Sequence, residues 1–106
     1  MDPSLYKDAS IDGLQYHYYY HPAKSASSPT LLFLHGFPST SDHWAHQAVY
    51  FSNKGYGVIA LDMLGYGGTS KPSDLKPYEG STLASHCIRI LDGEGVQKFV
   101  AVSHDW

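Results

Sequence analysis

Apolar positions along this chain fall into short runs of about five residues, separated by turn residues and by two stretches with helical spacing. Leu14 to Tyr20 is rich in aromatic residues, follows a turn signal at Asp12-Gly13 and predicts a strand. Ser25 to Pro29 is a small-residue turn, and Thr30 to Leu34 is apolar after its first residue, as in a strand buried on both faces. From Asp42 to Lys54 the positions Trp44, Ala48, Val49 and Phe51 follow a rough helical period, with Asp42 as the expected N-cap and Gly55 as the stop. Gly57 to Leu61 predicts another strand. The Gly, Pro and Ser density from Asp62 to Pro77 predicts a long loop, a class that is usually functional or mobile. Ser81 or Thr82 is expected to cap a helix running to Asp92 with an apolar stripe of Leu83, Cys87, Ile90 and Leu91, and Lys98 to Val102 predicts a fifth strand.

The last three strands alternate with helices, which is how parallel α/β sheets are written, while the first two read as an antiparallel N-terminal hairpin. The fold class expected is therefore α/β, with a mostly parallel sheet.

Composition narrows the function more than the fold. The 106 residues suffice for one domain or part of one, and 42% hydrophobic against 16% charged residues excludes a disordered chain. With seven scattered Lys and Arg and a net charge of -3, no basic patch is present, so neither nucleic acid nor an anionic membrane is expected as a partner. A signal peptide and an apolar run of the ~18 residues needed to span a bilayer are both absent, and a soluble cytoplasmic protein is expected. The lone cysteine, Cys87, lies in a helical apolar stripe and reads as a small core residue. His43 and His46 are three apart on a predicted helix, but without a carboxylate or Cys to complete a set they read as a solvated face; no metal is expected.

Three segments carry candidate chemistry. His35-Gly36-Phe37-Pro38 follows the buried strand Thr30 to Leu34; alone, it is a strand-end turn or a loop whose backbone N–H faces developing negative charge. The glycine-rich run after Asp62 lacks the phosphate-loop pattern and misses the dinucleotide fingerprint, so it reads as structural and no cofactor is expected. Val100 to Trp106 is a strand entering Ser103-His104-Asp105, where a small residue two before an acidic side chain permits a tight strand-to-helix turn.

In combination, His-Gly-Phe-Pro, then Asp-x-x-Gly-x-Gly-x-Ser with an extra glycine before Thr69, then Ser-His-Asp-Trp, resemble α/β-hydrolases of the epoxide hydrolase family. The resemblance covers the chain from Asp12 onward and departs from the family pattern at Ser103, where a glycine is usual. It implies that the strands ending at His35 and Asp105 lie side by side at a crevice. It further implies Asp105 as nucleophile and the backbone N–H groups of Phe37 and Trp106 as an oxyanion hole, with His35, Gly36, Pro38 and His104 supporting the loops. Asp105 would open a small-molecule epoxide to an ester, which a histidine-activated water hydrolyses to a diol. In that family the acid, the histidine and the lid tyrosines follow the nucleophile, so 1–106 is expected to be a partial domain without cap or C-terminal half, and inactive in turnover. His104, pointing away along the elbow, and His35, in a loop, are not expected to replace the base. Lys98 to Val102 is then an apolar sheet edge, with low solubility or partial order expected. A haloalkane or haloacid dehalogenase of the same fold, and a non-catalytic interaction module, are the alternatives.

Overall fold

The computed structural model describes residues 1–105, and its centre is a five-stranded mixed sheet in the order β1-β2-β4-β3-β5. The strands are β1 (Tyr6–Ile11), β2 (Leu14–His21), β3 (Thr30–Leu34), β4 (Gly57–Leu61) and β5 (Phe99–Ser103), and the helices are α1 (Ala45–Asn53) and α2 (Gly80–Gly93). β1 and β2 form the antiparallel hairpin that the sequence predicts. Its two-residue turn places Asp12 at φ 52 and Gly13 at φ 80, the left-handed pair that matches the twist of the flanking strands. β2 pairs antiparallel with β4, whereas β4, β3 and β5 run parallel, in agreement with the expected α/β class.

The continuous apolar runs of β3 and β4 have a two-sided cause. Val58 to Leu61 of β4 are all fully buried, and their side chains alternate between two cores. Ile59 and Leu61 meet Tyr16, Tyr18 and the Cys87, Ile90 and Leu91 stripe of α2. Val58 and Ala60 meet Tyr19, Leu31, Phe33, Trp44 and Ala48 on the α1 side. Each large apolar side chain buried in this way contributes about 1.5–3 kcal/mol, so the sheet is held mainly at its centre.

Both expected helix caps are corrected. The chain enters α1 through a 3-10 turn over Ser41–Trp44, and Thr40, not Asp42, is the capping residue, its hydroxyl accepting the Asp42 N–H at 3.3 Å. The turn begins early because the Ser41 N–H is drawn to the Asp62 carboxylate. α2 starts at Gly80 with Glu79 before it and no side-chain cap, so Ser81 and Thr82 already lie in its first turn. A preceding 3-10 turn over Lys76–Tyr78 delivers the backbone in position, and the Glu79 carbonyl takes the Leu83 N–H at 2.9 Å without help from a side chain.

β5 is an edge strand, as expected, and Val100 is half exposed. Between β5 and α1 runs an apolar groove of about 470 Å³ lined by Leu31, Phe33, Trp44, Phe51, Val100 and Val102 among others. No helix among the described residues is long and apolar enough to cross a membrane.

Candidate active site

The register of two parallel strands brings the candidate residues together. Leu34 of β3 lies opposite Ser103 of β5, so His35-Gly36 and His104-Asp105 leave the sheet side by side. The His104 N–H donates to the Leu34 carbonyl at 3.2 Å, carrying the ladder one residue past the strand. Asp105 then turns to φ 68, a left-handed conformation that costs a residue with a Cβ on the order of 1–3 kcal/mol and is kept only where the surroundings enforce it.

Gly36 is part of that enforcement. A Cβ at this position would stand 2.7 Å from the His104 carbonyl oxygen and 3.0 Å from Asp105 Oδ2, and would overlap Asp105 Cβ outright. The loop and the turn therefore approach as closely as two backbones can. The approach lets the Phe37 N–H donate to Asp105 Oδ2 at 3.2 Å. Since the Phe37 side chain is 73% exposed, its backbone is what serves the site. The Phe37–Pro38 peptide is cis.

Beneath this pair lies a set of buried polar contacts that fix the loop. His35, fully buried, accepts the Met63 N–H at Nε2 (2.9 Å) and faces the Gly36 carbonyl with Nδ1 (2.9 Å), which requires the tautomer protonated at Nδ1. It thus ties the β3 loop to the β4 loop. Asp62, directly after β4, accepts the Ser41 N–H at Oδ1 (2.8 Å) and the Gly68 N–H at Oδ2 (3.0 Å). Gly67, at φ 51, has no room for a Cβ beside that carboxylate. Thr69 donates its hydroxyl to the Asp62 carbonyl and accepts the His17 N–H, and Ser70 exchanges backbone and side-chain bonds with Gln15. The glycine-rich run is therefore a structural loop clipped to β2, as its lack of a nucleotide motif suggests.

Sequence reading assigned no role in the site to Asp62, Tyr66 or His43. Asp62 carried a signal, a carboxylate at the end of a buried strand with two glycines five and six residues on, because such a group needs backbone donors. Tyr66 packs edge-on against both His35 and Phe37, and His43 stacks on His104 with ring centroids 5.4 Å apart and planes 12° from parallel. No group of three or more His, Cys, Asp or Glu placed to hold a metal occurs among the described residues, His43 and His46 included. Trp106, the second expected oxyanion donor, lies outside the described residues.

Another group of ionisable side chains lies on the α2 side of the sheet. Burial pushes the Cys87 thiol up to about 11, which keeps it an inert core residue. Burial likewise raises the Tyr16 hydroxyl to about 12, and this hydroxyl meets His86 Nδ1 at 2.8 Å. Arg89 holds the Asp12 carboxyl below the usual range, and His86 also reaches Asp12, so a polar chain joins α2 to the hairpin turn.

Comparison with known proteins follows the same segments. A family model described as the alpha/beta hydrolase fold matches residues 29–106. Epoxide hydrolase 3 of Siraitia grosvenorii is 38% identical over 86 residues, covering 81% of this chain and 27% of that protein. Epoxide hydrolase 4 of Mus musculus is 38% identical over 109 residues, covering 99% of this chain and 30% of that protein. Among solved structures, an epoxide hydrolase from Vigna radiata superposes with a TM-score of 0.84 at 32% identity, covering 95% of this chain and 32% of that one. The chain thus spans between about a quarter and a third of the length of these three proteins.

Proposed function

Because this chain belongs to the alpha/beta hydrolase fold family, we propose that it carries the nucleophile half of an epoxide hydrolase site, with Asp105 as the attacking carboxylate. The single observation that carries this reading is the Phe37 N–H aimed at Asp105 Oδ2 across a contact that only Gly36 permits. A carboxylate in a strained turn, exposed to solvent and held by the Phe37 N–H, is oriented for attack.

In the first step one carboxylate oxygen forms a bond to an epoxide carbon as that carbon's bond to the ring oxygen breaks. The ring oxygen leaves as an alkoxide and takes a proton from water, giving a hydroxyalkyl ester of Asp105. In the second step water adds to the ester carbonyl and gives its proton to a general base. The bond from that carbonyl carbon to the alkyl oxygen breaks, and the alkyl oxygen leaves protonated as the diol, restoring the Asp105 carboxylate. The Phe37 N–H, with that of Trp106, would stabilise the oxyanion, each such donor being worth roughly 3–4 kcal/mol in comparable sites. His35 positions the loop through its buried contacts to Gly36 and Met63, Pro38 follows the Phe37 donor and His104 precedes the nucleophile. The second step needs a general base. The His35 ring is already committed to the Gly36 carbonyl and the Met63 N–H, so 1–106 reads as a partial domain that forms the ester faster than it clears it.

Incubating the 106-residue polypeptide with styrene oxide and following intact mass tests this. One adduct of the epoxide's mass, mapped to Asp105 and absent from Asp105→Asn, is expected. Labelling elsewhere, or equal labelling of Asp105→Asn, refutes it.

A further inference from the structure

We propose that His43 is a positioning residue that braces the turn carrying Asp105 by stacking on His104; the inference rests on reading Asp105 as the nucleophile. A row of rings leads from the core to this turn. Phe33 of β3 is buried and stacks on Trp44 with centroids 5.0 Å apart and planes at 24°. Trp44, also buried, meets His43 edge-on at 5.0 Å, and His43 lies nearly parallel over His104 at 5.4 Å. His104 immediately precedes Asp105, whose left-handed backbone has to be held.

The base of the row is fixed independently. Thr40 caps the 3-10 turn that bears His43, and Ser41 is bound through its N–H to Asp62 and through its hydroxyl to Tyr6 at 2.7 Å. His43 is thus an exposed ring on a rigid base, whereas His104 is an exposed ring on a sheet edge with one backbone bond to Leu34. Contact between them transfers rigidity from the first to the second. Stacking needs flat, polarisable faces and not a titrating nitrogen, so Phe at position 43 preserves the brace and Ala removes it.

His43→Ala and His43→Phe test this in the full chain with two readouts, the rate of Asp105 esterification by styrene oxide and the NMR shift of the Phe37 amide proton. His43→Ala is expected to slow esterification about two- to tenfold and to move the Phe37 amide toward its position in Asp105→Ala. His43→Phe is expected to restore both. Wild-type values of both in His43→Ala, or failure of His43→Phe to restore them, overturns the proposal. If the wild-type chain takes up no epoxide at Asp105, the nucleophile reading fails while the amide shift still decides whether the brace exists.

Discussion

The ends of β4 and β5 reach the same edge of the sheet and are stabilised in opposite ways. At the end of β4, Asp62 is buried with both carboxylate oxygens occupied by backbone N–H groups, and Gly67 makes room for it. At the end of β5, Asp105 is exposed, adopts φ 68 and has the Phe37 N–H as its donor. Two aspartates one residue or two beyond parallel strands therefore divide the work. The saturated, buried one organises loops, and the exposed one is the proposed nucleophile. Strain at Asp105 is tolerable because the neighbouring anchors leave the loop facing it little freedom to relax.

Removing the anchor gives the largest expected effect. Asp62→Ala strands the buried Ser41 donor and removes the partner of the part-buried Gly68 N–H, and is expected to cost about 2–4 kcal/mol in urea denaturation, a large share of a small domain's stability. An equal loss in Asp105→Ala would erase the contrast between the two aspartates. Gly36→Ala attacks the contact between the regions instead. Its methyl group forces the β3 loop and the Asp105 turn apart, so esterification is expected to fall by roughly a hundredfold with a smaller change in stability. A rate within twofold of wild type would show that the close approach is not needed for reaction.

The smallest effect is expected in the core beneath α2 and separates core from site by pH. Tyr16 ionises near 10.0 when unfolded but at about 12 when buried, and Cys87 moves in the same way from 9.0 to about 11. Folding thus favours their neutral forms. The stability they contribute is complete below pH 9, and it declines as pH rises through 11 and 12. Tyr16→Phe is expected to cost about 1–2 kcal/mol near neutrality through the lost contact to His86, and to flatten part of the alkaline decline. Denaturant midpoints at pH 8 and pH 11.5 for both chains check this, and an unchanged slope would place the alkaline sensitivity elsewhere.

Elements written in contiguous residues were legible in the sequence. The aromatic richness of β2, the unbroken apolar runs of β3 and β4, the Asp12-Gly13 turn and the stripe of α2 are each written in neighbouring residues, and such local signals survive folding because apolar faces must leave water. Helix starts were legible less well, since α1 is entered through a 3-10 turn that Thr40 caps and that Ser41 ties to Asp62, a residue twenty-one positions away.

By itself the sequence determined the strands, their α/β succession and the residues that stand at their ends, including His35-Gly36-Phe37 and His104-Asp105. The motif resemblance added the expectation that those ends are neighbours. Tertiary structure alone decided the one-to-one register of Leu34 with Ser103, the loss of space at Gly36 and the stack of His43 on His104. Such features depend on distances between segments some seventy residues apart, and no local pattern encodes a distance until the sheet has closed over its core.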